Sequence, residues 1–344
     1  MKYKAGIVGC GRIGSEFDDD PKRKQISTHA GAYRDVDDVE LIAACDLDKD
    51  KLERCGKRWQ IPLLYQDLGE MLKNKFDILS ICTPSTSHLD IVKEAVKSGV
   101  KAIFCEKPIA DSLQSAGEMI RLCHSNGVIL QIDHQRRFDR FHQEVRDFIQ
   151  DGKLGRIQQV SFYYTAGIAN TGSHMFDLLR FFFGDVMWVQ AVYSKNDSRK
   201  LDDPNVDGMM QFCNLPFCTI QSCDVQSYLI FEMDCLGTRG RLKITRSGFG
   251  IEYYDVGESK MYSGYNEVYL APSLIDETPS DSMIVAGVKH LIKCLREGRL
   301  SISSGEDGRA ALELVSAFRE SADRAGTLIL VPLTLNLIEG DFSG

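Results

Sequence analysis

The chain has 344 residues, of which 43% are hydrophobic and 26% charged, and a formal net charge of −8. That length is more than one ordinary core holds and implies two domains, while the acidic balance argues against nucleic acid as a main partner, since phosphate binding favours a basic face. No run of about eighteen apolar residues occurs, and Met1-Lys2-Tyr3-Lys4 leads straight into Ala5 to Val8 without the long apolar segment of a signal peptide, so the protein is expected in the cytoplasm and off the membrane.

Apolar runs at residues 4–8, 40–45, 77–83, 101–105 and 128–132 predict strands that are apolar on both faces, as a parallel sheet covered by helices on each side requires. Between them, residues 89–98 and 113–126 read as amphipathic helices, each ending at a glycine (Gly99, Gly127) suited to a left-handed cap. Strand alternating with helix predicts βαβ units and a doubly wound parallel sheet of the Rossmann type over residues 1–133. From residue 134 to 344 the texture changes to an α+β domain. It opens with a helix at 140–150, a half-buried strand at 157–165 and a helix at 173–183. Long alternating runs over 186–252 then suggest an open, mainly antiparallel sheet with one face covered. The other face is a candidate homodimer or homotetramer interface. Helices at 281–297 and 307–325 close the domain, with the option that the last packs back on the first domain. The eleven cysteines are scattered, often inside strand-like runs, and form no CxxC pair, so they read as buried reduced thiols and no metal site is assigned.

Gly9-Cys10-Gly11-Arg12-Ile13-Gly14 follows the first strand. The first glycine permits the tight turn, the second lets the backbone approach a pyrophosphate, and the third lets helix pack on strand, with amides at the helix start meeting the phosphates. Asp46, ending the second strand, is placed to accept hydrogen bonds from ribose hydroxyls and to repel a 2′-phosphate, favouring NAD(H) over NADP(H). It lies 32 residues beyond Gly14, against a usual spacing of about 20, and removing a polar insert at 16–27 restores that spacing. The insert is an ordinary surface loop or a lid over the cofactor.

Thr83-Pro84 ends one strand and Glu106-Lys107-Pro108 the next, and in open parallel sheets ligands bind beyond the carboxyl ends of the strands. A lysine held there can polarise a substrate hydroxyl or, if desolvated, carry its proton. Gln135, after His134, is placed to line the nicotinamide edge. Arg136 and Arg137 suit an anionic substrate group or a structural ion pair.

These segments resemble the Gfo/Idh/MocA oxidoreductases. The glycine motif, His29-Ala30, Thr83-Pro84-x-x-x-His88, Glu106-Lys107-Pro108, Arg136-Arg137-Phe138, Gly172-Ser173-His174-x-x-Asp177 and the late Ser303 to Gly308 segment occur in that family's order and span nearly the whole chain. The resemblance implies NAD(P)-dependent oxidation or reduction at a hydroxyl-bearing carbon of a sugar, nucleotide-sugar or cyclitol. It also implies an open mixed C-terminal sheet used for oligomer formation. Thr83, Pro84, His88 and Glu106 join the cofactor side of the site. Lys107 matches the family's catalytic lysine and His174 its catalytic-domain histidine. Asn170 stands where the family usually has an aspartate. An amide cannot take a proton at neutral pH but can orient substrate, which moves proton transfer to His174 or Lys107. Asp177, one helical turn after His174, orients the imidazole or is an ordinary helix carboxylate. Tyr163 and Tyr164 alternate, so only one can face a pocket, and Tyr164 stands as the substrate-facing candidate against a core-aromatic reading. Two other functions are open: a non-catalytic dinucleotide-binding sensor or regulator, and an enzyme that recycles tightly bound NAD in epimerisation or elimination.

Overall fold

The computed structural model describes residues 2–213, 217–273, 275–276 and 282–332. Over these the chain divides into two compact units, Met1–Gln143 with Pro279–Leu312, and Glu144–Thr278 with Glu313–Gly344.

In the first unit, β1 (Tyr3–Val8), β2 (Val39–Cys45), β3 (Leu63–Tyr65), β4 (Ile78–Ile81), β5 (Ala102–Cys105) and β6 (Ile129–Ile132) form a six-stranded parallel sheet in the order β3-β2-β1-β4-β5-β6. The order reverses direction between β1 and β4, which opens a crevice at the carboxyl ends of those two strands. The central strands are apolar on both sides because each side is covered. Ile7 and Ile78 pack with Tyr33 of α1 (His29–Asp35), Leu52 of α2 (Lys49–Trp59) and Val288 and Leu291 of a helix far along the chain. Leu79, Ile81 and Ile103 pack on the opposite side, through α3 (Leu68–Leu72), α4 (His88–Ser98) and α5 (Leu113–Ser125), with Val92, Ala95 and Met119. Gly99 and Gly127 adopt φ of +84° and +66°, as their predicted capping positions demand.

A continuous division at residue 133 did not foresee the return of Pro279–Leu312 to this unit. The late helix, Met283–Glu297, buries its apolar stripe in the same core as β1 and β4. The start proposed for it at residue 281 lies outside the described residues. The last helix, Gly305–Asp323, is shared between the units. In its first half, Gly305 sits against Ile120 and Leu130, and Gly308 against Ile132 and Ile109.

The second unit is built on a nine-stranded sheet. Along the chain follow α6 (Arg140–Gln150), begun in the first unit, β7 (Ile157–Tyr164), α7 (Gly172–Phe183), β8 (Val186–Tyr193), β9 (Val206–Phe212), β10 (Phe217–Ser222), β11 (Phe231–Gly237), β12 (Gly240–Thr245), β13 (Gly250–Glu258) and β14 (Asn266–Ala271). The late helices are α8 (Met283–Glu297) and α9 (Gly305–Asp323), before β15 (Ile329–Leu330). The strand order is β14-β13-β12-β11-β7-β10-β9-β8-β15, with β7 and β10 parallel and the other neighbours antiparallel. The sheet is therefore mixed and mainly antiparallel. Buried Phe176 of α7 meets Phe318 of α9 with ring centroids 4.7 Å apart.

Candidate active site and cofactor cleft

The three glycines after β1 have different environments. Gly9 sits at φ +95°, and a Cβ there would lie 2.8 Å from the backbone carbonyl of Cys82. A Cβ on Gly14 would be 2.1 Å from the Gly9 carbonyl oxygen. Both positions are closed by the protein itself. Among the described residues nothing lies within 4 Å of a Cβ built on Gly11, and its φ of −76° suits any residue. Packing and backbone conformation therefore place no demand for glycine at position 11, whose open side leaves the backbone free to be approached.

The segment after the glycines differs from the expected helix. Arg12–Glu16 is a single wide π-helical turn, followed by the short 3-10 turn Phe17–Asp19, and regular helix resumes only at His29. A phosphate here would meet turn amides rather than the summed dipole of a long helix. The insert is also less detached than a surface loop. Asp18 accepts from Ser27 N–H at 2.6 Å and from the Thr28 hydroxyl at 2.5 Å, and Thr28 in turn caps α1 through Gly31 N–H. Arg58 of α2 pairs with Asp19 and donates to the Asp18 carbonyl at 2.7 Å. The Arg12 and Arg23 guanidiniums lie over the Phe17 ring, at 4.7 and 4.0 Å. Removing residues 18–24 takes away Asp18, which holds Ser27 and the Thr28 cap of α1, so a deletion there tests the fold as well as any lid.

Asp46 faces the glycine turn. One carboxylate oxygen accepts from Cys10 N–H at 2.6 Å, the other from Asp48 N–H at 2.8 Å. Gly9, Gly11, Asp46, Thr83 and Pro84 line one cleft of about 460 Å³, within the usual range for small-molecule sites of about 300–1,000 Å³. Lys51 and Ser87, which sequence reasoning missed, line it too. Ser87 donates to Thr83 Oγ1 at 2.8 Å, which no motif announces. The pinned carboxylate predicts that NAD(H) binds at least about tenfold tighter than NADP(H), with Asp46→Asn narrowing the ratio, because loss of the charge relieves repulsion of a 2′-phosphate. Fluorescence titration with both cofactors checks it. A wild-type preference for NADP(H) would assign Lys51 to the phosphate instead.

His88 differs from its expected contact with the cofactor. It is 1% exposed, its ring nitrogens lie 3.0 Å from the Ile109 carbonyl and 2.9 Å from that of Thr83, and burial lowers its pKa. It ties the loop after β4 to the loop after β5. Lys107 is half-buried at the end of β5. Glu106 before it belongs to a buried cluster at the ends of three adjacent strands. His29 Nδ1 lies 2.9 Å from Ser80 Oγ and Nε2 3.0 Å from Glu106 Oε1, Tyr33 Oη is 2.7 Å from Ser80 Oγ, and Gln135 donates to Asp133 Oδ2 at 3.1 Å. Burial pushes the His29 pKa down to about 4, raises that of Glu106 and raises that of Asp133 well above the ordinary carboxylate range. Donor atoms of His29, Glu106 and Asp133 lie within 4.8 Å of one another, but both ring nitrogens of His29 and both oxygens of Glu106 are already hydrogen-bonded, and we assign no metal. Gln135, half-buried, thus rests on this cluster. Arg137 is structural: it donates to the Ile302 carbonyl at 2.9 Å and pairs with Asp307 at 3.1 Å. Arg136 is half-buried beside it.

In the second unit, Asn170 and His174 sit on consecutive turns, Gly167–Thr171 and the start of α7. The turn is held from below. Asp203 accepts from Ala169 N–H at 2.8 Å, Asn170 N–H at 2.9 Å and Arg319 at 3.0 Å, and Asn205 accepts from Gly167 N–H at 2.9 Å. Ala166 enters it at φ +67°, a left-handed conformation costly for a residue with a Cβ, and Gly167 follows at +91°, which glycine adopts freely. Asn170 is exposed and its amide donates back to the Ala166 carbonyl at 3.3 Å; His174 is half-buried. Asp177 is 1% exposed, so it is not a solvated helix carboxylate. Tyr164 corrects its assignment to substrate. It is 0% exposed, and its hydroxyl donates to the Val206 carbonyl and accepts from Val206 N–H, both at 2.8 Å. Strand pairing β7 to β10 and β11 puts it in the core, and the half-buried partner in the alternation is Tyr163.

The family description "oxidoreductase family, NAD-binding Rossmann fold" of the Gfo/Idh/MocA group matches residues 3–134, and that group's "C-terminal alpha/beta domain" matches residues 165–329. A D-apiose dehydrogenase from Paraburkholderia graminis is 27% identical over 357 residues, covering 96% of this chain and 91% of that protein. A myo-inositol 2-dehydrogenase from Thermotoga maritima is 23% identical over 352 residues, covering 93% and 96%. The crystal structure of the WlbA dehydrogenase from Bordetella pertussis, in complex with NADH and UDP-GlcNAcA, has a TM-score of 0.79 at 23% identity, covering 97% of this chain and 100% of that one. It speaks for the fold.

Proposed function

Because the chain belongs to the Gfo/Idh/MocA family of NAD-binding oxidoreductases, we propose that it transfers hydride to or from a hydroxyl-bearing carbon of a sugar-like substrate, a sugar, nucleotide-sugar or cyclitol. The observation that carries the reading is the open face of Gly11 beside the pinned Asp46 carboxylate, in the cleft at the sheet's order reversal. The substrate class rests on relatives named for apiose and inositol.

When bound, the nicotinamide supplies the hydride donor or acceptor. Gly9, Gly11 and Gly14, with the amides of Arg12 and Ile13, hold the pyrophosphate side, and Asp46 the ribose. Thr83 and Pro84 wall the cleft. Lys107 lends positive charge to the reacting oxygen, which stabilises alkoxide character as hydride leaves the carbon. His174 exchanges the hydroxyl proton, since its intrinsic pKa lies near neutrality. Asn170 and Arg136 orient the substrate, and Asp177 orients the imidazole. The protein works in the cytoplasm as a homodimer or homotetramer through the C-terminal sheet, where Met187, Val192 and Leu330 are exposed apolar side chains. Among the described residues no helix is long and apolar enough to cross a membrane.

A panel of aldoses, cyclitols and nucleotide-sugars, each mixed with NAD and followed by nicotinamide absorbance, tests the proposal. At least one polyhydroxylated compound should give turnover with NAD. NAD binding without reduction by any member, with simple alcohols or hydroxy acids turning over instead, would remove the substrate class.

A further inference from the structure

The buried cluster beside Lys107 has no part in the roles above, yet its hydrogen bonds determine where its protons sit. Tyr33, Ser80 and a neutral His29 have one hydrogen each to donate. Tyr33 is 1% exposed, and among the described residues its hydroxyl has Ser80 as its hydrogen-bond partner. A buried hydroxyl hydrogen left without an acceptor is costly, so Tyr33 donates to Ser80. Ser80 must then donate to His29 Nδ1, and the single imidazole N–H, on Nε2, donates to Glu106 Oε1. The second oxygen of Glu106 accepts from Lys107 N–H at 3.3 Å. Both oxygens of Glu106 are acceptors. Asp133, with a carboxylate oxygen within 4.8 Å of one of Glu106, receives the Gln135 amide on Oδ2. Its Oδ1 is buried, and among the described residues no donor reaches it. An oxygen without a donor costs a buried carboxylate more than a neutral carboxyl, which favours the protonated form of Asp133.

We propose that Glu106 is the ionised carboxylate of this cluster and acts as a positioning residue that keeps Lys107 a cation, while Asp133 holds the proton that two adjacent buried carboxyls must share. Two like charges at this depth cannot both be kept. The groups that face the pair are His29 and Tyr33 from α1, Ser80 and Cys82 from the end of β4, Cys105 and Lys107 around the end of β5, and Gln135 after β6. Lys107 is the cation among them and favours charge on Glu106 rather than on Asp133. Burial raises both carboxyls, with Lys107 pulling Glu106 back down. The inference rests on the proposed role of Lys107 and deepens it. A lysine held as a cation polarises the reacting oxygen and leaves proton transfer to His174.

The test reads charge, not turnover. Reductive methylation of Lys107 in the full-length, cofactor-free protein, followed by peptide mass spectrometry across pH, gives the point at which its amine becomes reactive. Glu106→Gln should lower that point by about one pH unit, roughly a tenfold faster reaction at a fixed pH below it. Asp133→Asn keeps a donor toward Glu106 and should leave the point in place. The reverse pattern, or no change in a folded Glu106→Gln protein, overturns the proposal. Carboxyl-carbon NMR of the unmutated protein near neutral pH needs no variant. It should show Glu106 ionised and Asp133 protonated, and a protonated Glu106 is fatal to the idea. If Lys107→Ala keeps full turnover, the functional reading fails while these charge assignments stand.

Discussion

Lys107→Ala lowers kcat by about 10²–10³ and leaves NAD(H) affinity within a few-fold, because a cation aimed at developing negative charge acts on the transition state more than on the ground state. The lysine extends from the carboxyl end of β5, half-buried, one residue after a carboxyl engaged on both oxygens. The peptide that carries it is thereby fixed, and little of its electrostatic effect is spent on reorganisation. Lys107→Arg should recover only part of the loss, since a planar guanidinium does not place its charge where the ammonium was. Steady-state kinetics with cofactor titration checks both variants. A rise in KM with unchanged kcat would make Lys107 a substrate anchor and no more.

Gly11→Val weakens NAD(H) binding by about a hundredfold, near 2.7 kcal/mol, and leaves thermal stability essentially unchanged. Among the described residues nothing contacts a Cβ at this position, and its backbone angles are ordinary, so the fold has no reason to resist valine. The branched side chain would instead fill the space where pyrophosphate must approach the amides. Gly14→Val is the counterpart: its Cβ would overlap the Gly9 carbonyl oxygen, so it should destabilise the protein directly. Calorimetric binding and thermal denaturation on both variants separate the two effects. Equal destabilisation would mean that Gly11 is a folding residue.

Five of the six strands of the first unit were legible because a sheet covered on both faces leaves apolar runs of β length, each bounded by polar turns; the three-residue edge strand β3, largely exposed, leaves no such run. The glycine motif and Asp46 were legible because their spacing encodes a turn, once the insert was recognised. Other features are three-dimensional and leave no local trace. The return of α8 to the first core depends on where the chain travels after residue 282. The burial of Tyr164 depends on the pairing of β7 with strands more than fifty residues away. Position relative to the phosphate turn suggested a lid at 16–27, whereas Asp18, Asp19 and Phe17 tie that insert to α1, α2 and Arg12. Asp203 and Asn205, which hold the Asn170 turn, lie in a polar stretch with no pattern to mark them. Ser80 was the clue within reach. It is a lone hydroxyl in the apolar run Ile78-Leu79-Ser80-Ile81, and such a residue needs a buried partner.

Single-turnover hydride transfer in His174→Ala, followed by nicotinamide absorbance with cofactor affinity measured separately, tests the central claim most directly. Loss of the group that exchanges the hydroxyl proton should slow the transfer step by about 10²–10⁴, the usual range for general acid–base assistance, with cofactor affinity intact. Hydride transfer at the wild-type rate would contradict the account, because the proton would then have to travel by way of Lys107.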